Sequence, residues 1–205
     1  MLQRTKGRLL LAALVITGMA GTPKNTTLSQ EERKFCVTNL RKSKNEFVHT
    51  LKKLSPAQLA YRPARKKASI QDHILHIASV EKVLEQQLQQ AMNQPSRPAE
   101  RTAIKFSDEE LIRMASDPGY PLLAGLTKNM NSWSSPQEAI GSFLSTRSDQ
   151  VKYVRNTTED LRNHVVQLEF GYIDCYQLLL VITHYSNRYL DQIREIMGDE
   201  HFPAS

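Results

Sequence analysis

Cysteine is scarce in this sequence: Cys36 and Cys175 are the only two among 205 residues. They form no CxxC pair and no cluster suited to zinc. A glycine-rich phosphate loop, a GxSxG elbow and an HExxH helix are also missing, which removes common signatures of nucleotide binding, serine hydrolysis and zinc proteolysis. There is no internal repeat and no low-complexity segment. No apolar run reaches the roughly 20 residues that a spanning helix needs. What remains is enough chain for one domain with a substantial core.

The N-terminus reads as a leader rather than as part of the fold. "MLQRTKGR" is cationic, "LLLAALVITGMAG" is a short apolar run, and Gly18-Met19-Ala20 supplies small residues at a cleavage point. Residues 1–20 are therefore expected to be a signal peptide, residues 21–28 a polar tether, and the mature domain is expected to be exported, periplasmic or extracellular. The alternative is an uncleaved membrane anchor. Cleavage removes Arg4, Lys6 and Arg8 and no acid, so Lys+Arg falls from 27 to 24 against 21 Asp+Glu, and the formal charge falls from +6 to +3. Half of the basicity belongs to the leader. The one dense cationic cluster, Arg62, Arg65, Lys66 and Lys67, lies in a loop, so no nucleic-acid partner is expected. After cleavage no stable membrane insertion is expected either. Outside the cytoplasm a disulfide between Cys36 and Cys175 is allowed. Each lies in an amphipathic helical pattern, however, where a buried thiol is the common role.

Residues 29–198 read as an all-α domain, followed by a short tail over 199–205. A first helix is expected from Leu28 to Leu54, with an apolar stripe through Cys36, Leu40, Phe47 and Leu51. Pro56 suits the start of a short helix after Ser55, and Pro63 disfavours helix at Arg62. Ser69-Ile70-Gln71-Asp72 forms a capping-box pattern that opens a second long helix, with Ile70, Ile74, Ile77, Val80/Glu81, Leu84 and Leu88 in its stripe. Pro95 and Pro98 end it, and a short helix follows from Ser107 to about Ser116. Ser135-Pro136-Gln137-Glu138 opens a third long helix that runs to about Thr157. "NHVVQLEFGYID" is irregular or briefly extended. A fourth long helix covers about Ile173 to Met197, with Gly198 as its cap. The pattern is an up-down-type four-helix bundle with a long crossover between helices two and three.

Candidate site residues come from the second and fourth helices. In "SIQDHILHIASVE", His73 and His76 are three apart and can share a side. In "THYSNRYLDQI", His184 and Arg188 are one turn apart. A second histidine at that spacing would suggest a metal pair; an arginine is a permanent cation and not a ligand. Asp72 could orient His76, but its place in the capping box explains it already. Arg188 could pair with Asp191 as an ordinary surface pair. Tyr185 and Tyr189 are expected to be core, and His49, His164 and His201 carry no pattern. Cys175 is too far along the helix from His184 for a nucleophile–base pair.

Together, "LKKLSPAQLAYRPARKKASIQDHILHIASVE" and "FGYIDCYQLLLVITHYSNRYLDQI" resemble the DinB-like four-helix-bundle superfamily over nearly all of residues 29–197. That resemblance implies a bundle, often dimeric, in which three histidines hold a divalent metal. One histidine comes from the second helix, and two come from an HxxxH in the last helix, followed by Gln-Ile. By resemblance His76 and His184 match two ligands and Gln192-Ile193 the trailing pair. Arg188 stands at the third ligand, and Ala68 stands where an aromatic often precedes the serine. His73 or Asp72 is the candidate substitute ligand. Two functions are then open. One is a metal-dependent hydrolase or thiol transferase using zinc or nickel at His76, His184 and His73. The other is a non-catalytic binding protein, a possible homodimer, in which Arg188 receives a small anionic ligand. The arginine favours the second.

Overall fold

The computed structural model describes residues 28–123, 126 and 133–204. The expected signal peptide and all of the tether except Leu28 lie outside these residues; Leu28 itself is buried in the core. The helices are α1 (Gln30–Leu51), α2 (Pro56–Ala60), α3 (Ile70–Met92), α4 (Asp108–Ser116), α5 (Pro136–Asn156) and α6 (Cys175–Met197). A 3-10 turn spans Pro98–Ala103, and a hairpin is formed by β1 (Val165–Leu168) and β2 (Gly171–Asp174).

Local side-chain chemistry sets the helix starts. Capping boxes open α1 (Ser29 with Glu32), α2 (Ser55 with Gln58), α3 (Ser69 with Asp72) and α4 (Ser107 with Glu110). In each, a hydroxyl accepts from the third helical N–H while the side chain there accepts from the cap N–H. At α5 the pattern is shifted: Ser135 accepts from the Glu138 amide, but the Glu138 carboxylate accepts from the backbone N–H and hydroxyl of Ser134. The fourth long helix begins two residues later than expected, because Asp174 and Gln177 make a capping box that holds Asp174 extended. The first is shorter than expected at its far end, where Lys53 turns left-handed at φ +73°.

"NHVVQLEFGYID" folds as an antiparallel hairpin, pairing Val165 with Asp174 through Leu168 with Gly171. Gly171 closes it at φ +141°, a conformation that side chains rarely adopt. Its strands cover the end of the bundle, with Ile173 fully buried.

The four long helices form the expected bundle, and the packing adds which helix neighbours which. α1 packs against α5 and α6, and α3 also packs against α5 and α6. Chain neighbours α1 and α3 therefore lie across one diagonal, and α5 and α6 across the other. α4, from the crossover, packs along α6. One apolar cluster gathers Leu40, Leu84, Val154 and Leu178; a second gathers Phe47, Ile74, Phe143 and Ile193. Phe47 and Phe143 pack with ring centroids 4.2 Å apart. Each such buried side chain contributes about 2 kcal/mol.

Between the clusters lies a buried ion pair. Arg147 of α5 donates to Glu81 of α3 through Nε (3.0 Å) and Nη2 (2.6 Å), and to Ser186 of α6 through Nη2 at 3.2 Å. At the hairpin end, Arg162 donates to Glu32 (2.5 Å), Asp108 (2.7 Å) and Asp174 (3.0 Å). These carboxylates belong to the first turns or caps of α1, α4 and α6, so one guanidinium gathers three helix N-termini. At the opposite end the tail docks on α2: the Tyr61 hydroxyl donates to Asp199 at 2.6 Å, and Phe202 packs edge-on against Tyr61. Cys36 and Cys175 are free and buried, and burial pushes both thiols up to about 12.

Candidate functional site

The fold brings His73, His76 and Arg188 around Tyr189, where α3, α6 and the exit of α4 meet. His76 Nε2 lies 3.0 Å from the Tyr185 hydroxyl, which lies 3.2 Å from the Tyr189 hydroxyl. The ring of Tyr189 is 4.3 Å from the His76 ring and 5.7 Å from the His73 ring, centroid to centroid. The expected core placement of the two tyrosines is half the story: Tyr185 is buried, yet its hydroxyl meets the imidazole.

Arg188 does not pair with Asp191, which instead binds Arg194 at 2.7 Å. Arg188 turns inward and is 8% exposed. Its Nη1 donates to the carbonyls of Asp117 (2.6 Å) and Tyr120 (3.0 Å), and its guanidinium stacks 4.4 Å from the Tyr185 ring centre. Asp117 is the C-cap of α4, where the negative end of the helix dipole attracts a cation, and its carbonyl accepts from Arg188 as well as from the Tyr120 amide. That non-local attraction outweighs a surface pair with Asp191.

His184 engages a different neighbour from His76. Its Nδ1 lies 3.5 Å from the Ser116 hydroxyl on α4. Its Nε2 is buried without a hydrogen-bond partner, as are Arg188 Nε and Asn187 Oδ1. These three atoms belong to one turn of α6. Burial lowers the pKa of all three imidazoles: His76 falls to about 4, helped by His73 and Arg188, and His184 is lowered further by Arg147. At neutral pH they are uncharged, and Arg188 carries the site's formal charge. Asp72 accepts from the Ser69 amide and from Arg62 at 2.6 Å, so its cap and an ion pair occupy it. Gln192 and His73 share the wall of an open 470 Å³ cleft beside Lys67 and Ala68. His49 and His201 are exposed, while His164 meets the carbonyls of Asp160 and Gln94 and ties the loops together.

The Glu81–Arg147 pair was missed from sequence. Its signal is a polar residue in an apolar stripe, since Arg147 lies four residues from both Phe143 and Val151.

The fold and the polar corner define a DinB-type helical bundle. The chain belongs to the DinB superfamily, whose family model matches residues 39–193. In structure it is similar to YfiT from Bacillus subtilis, described as a probable metal-dependent hydrolase with an unusual four-helix bundle topology. The TM-score is 0.58 at 11% identity, covering 86% of this chain and 92% of that one, a likeness that bears on fold alone. No curated protein matches with significance.

The residues of this corner do not fit the metal that such a relative implies. A catalytic zinc takes about three converging protein ligands. Among the described residues no group of three or more His, Cys, Asp or Glu side chains is placed to hold an ion. His76 is engaged by Tyr185, and the guanidinium of Arg188 adds positive charge where a third ligand would stand.

Proposed function

We propose that this chain is an exported, non-catalytic DinB-like binding protein whose polar corner takes a small anion, a carboxylate or phosphate group, through Arg188 and His184. One observation carries this reading: Arg188 Nε and His184 Nε2 are buried, unpartnered and one turn apart on α6. A buried polar atom without a partner costs about 1–3 kcal/mol, which an accepting ligand would relieve. The other face of the guanidinium is fixed by two carbonyls, so Nε is held in place before any ligand arrives. His184 is neutral and can donate from Nε2 while Nδ1 accepts from Ser116. Export is supported by the basic and apolar leader, and the native protein should then lack residues 1–20 by mass.

A metal-dependent hydrolase or thiol transferase using His76 and His184 is the alternative, favoured by the unpartnered Nε2 of His184 and by the description of YfiT. Titration calorimetry separates the two readings. Wild type should bind acetate or inorganic phosphate and hold zinc and nickel weakly, with anion binding roughly tenfold weaker in Arg188→Gln. Arg188→His should reverse the preference, gaining zinc or nickel affinity and a higher Tm with metal. Tight stoichiometric zinc binding by wild type, with no anion binding, would sink the proposal.

A further inference from the structure

Another cleft, of 420 Å³, lies between the C-terminal half of α3 and α5, at the other end of α3 from His73 and His76. That volume is within the range of small-molecule sites. Three carboxylates line it, Glu85, Asp149 and Glu159, with no lysine or arginine among its lining, in a chain whose formal charge is +6. Leu88 and Met92 supply apolar wall.

Gln150 adds an observation independent of the acids. It forms part of the cleft wall and is 2% exposed. Its Nε2 donates to Glu85 Oε2 at 2.8 Å, which fixes the amide's orientation, and its Oε1 is left buried without a partner. The other polar groups here also offer acceptors. Glu85 receives one hydrogen bond on each oxygen, from Gln89 and Gln150, and each oxygen keeps a lone pair. Glu159 receives the Tyr153 and Thr157 hydroxyls on Oε2 alone. Asp149 is exposed. Gln89 and Asn93 also line the cleft and carry amide donors, but its three carboxylates and the unpartnered Gln150 Oε1 favour a ligand that donates and carries positive charge.

We infer that this cleft binds an aliphatic di- or polyamine, with ammonium groups on the carboxylates and Gln150 Oε1 and methylenes over Leu88 and Met92. An ammonium has three donors and no acceptor, which matches what the wall offers. The carboxylates do not gather as a metal cluster. Separated acceptors suit charges spaced along a chain better than one ion. Asp149, Tyr153 and Glu159 also border an adjoining open groove lined by Lys152, whose charge keeps the ammonium groups on the Glu85 side of the cleft.

Calorimetry with spermidine at physiological ionic strength tests this on wild type, Glu85→Gln, Asp149→Asn and the control Glu109→Gln, which alters an exposed carboxylate on α4. One spermidine should bind per chain, roughly tenfold more weakly in each cleft variant and unchanged in the control. Thermal melts check that Glu85→Gln folds; Asp149 is exposed, so its variant tests the site even if Glu85→Gln does not fold. Absence of saturable binding would overturn the inference. So would equal weakening by Glu109→Gln, or displacement of spermidine by magnesium at matched ionic strength, which would reveal a general cation patch.

Discussion

His76 couples the polar corner to acid stability. Its folded pKa is about 4 against an ordinary 6.5, chiefly through burial and then through His73 and Arg188. As pH falls, the unfolded chain takes up this proton first. The contribution of neutral His76 is therefore complete above about pH 6.5 and is lost towards pH 4, amounting to about 3 kcal/mol. Urea midpoints of wild type should fall over that window more steeply than those of His76→Gln; parallel curves would contradict it. Side chains were unevenly legible in the sequence. The arginine in the HxxxH position was plain to see, and so was its conflict with a metal. Its true partners were not, because the carbonyls of Asp117 and Tyr120 lie far away in the chain and no i, i+3 rule reaches them. The role of the Tyr185 hydroxyl was hidden for a related reason: its ring fits an apolar stripe, and its partner His76 lies on another helix.

Helix starts were readable because a cap is a contract among four consecutive residues. Ser69 and Ser107 announced theirs; Asp174 did not, because it closes a segment whose glycine marks it as irregular or briefly extended. The hairpin was faint because each strand has only four residues. Between elements, the Glu81–Arg147 pair joins α3 to α5, with Thr183 and Ser186 of α6 alongside. Taking two charges from water is costly, and removing one partner leaves the other buried alone. Arg147→Met should cost about 3–5 kcal/mol in chemical denaturation, while Arg147→Met with Glu81→Leu should recover most of the loss. If the double variant is as unstable as the single one, the pair is needed for its packing shape rather than its charge balance.

Across the whole molecule, composition and periodicity made the bundle legible but not the order of helices around it, which depends on where the crossover sends the chain. The diagonal placement of α1 and α3, and of α5 and α6, has a kinetic consequence. In a bundle of helical hairpins, each hairpin can collapse on itself with a short loop closed. Here neither α1 with α3 nor α5 with α6 shares a substantial face, so the contacts among the four long helices join the first part of the chain to the second. Folding is then governed by sequence-distant encounters and should be slow for an all-helical protein of this size. Cutting the chain makes the point directly. Segments 28–93 and 94–204, prepared separately, should each show little stable helix by circular dichroism, and mixing them should restore it, with a rate that rises with concentration. A segment 28–93 that folds cooperatively alone would refute this. The protein is, in this sense, built as two halves that complete one another.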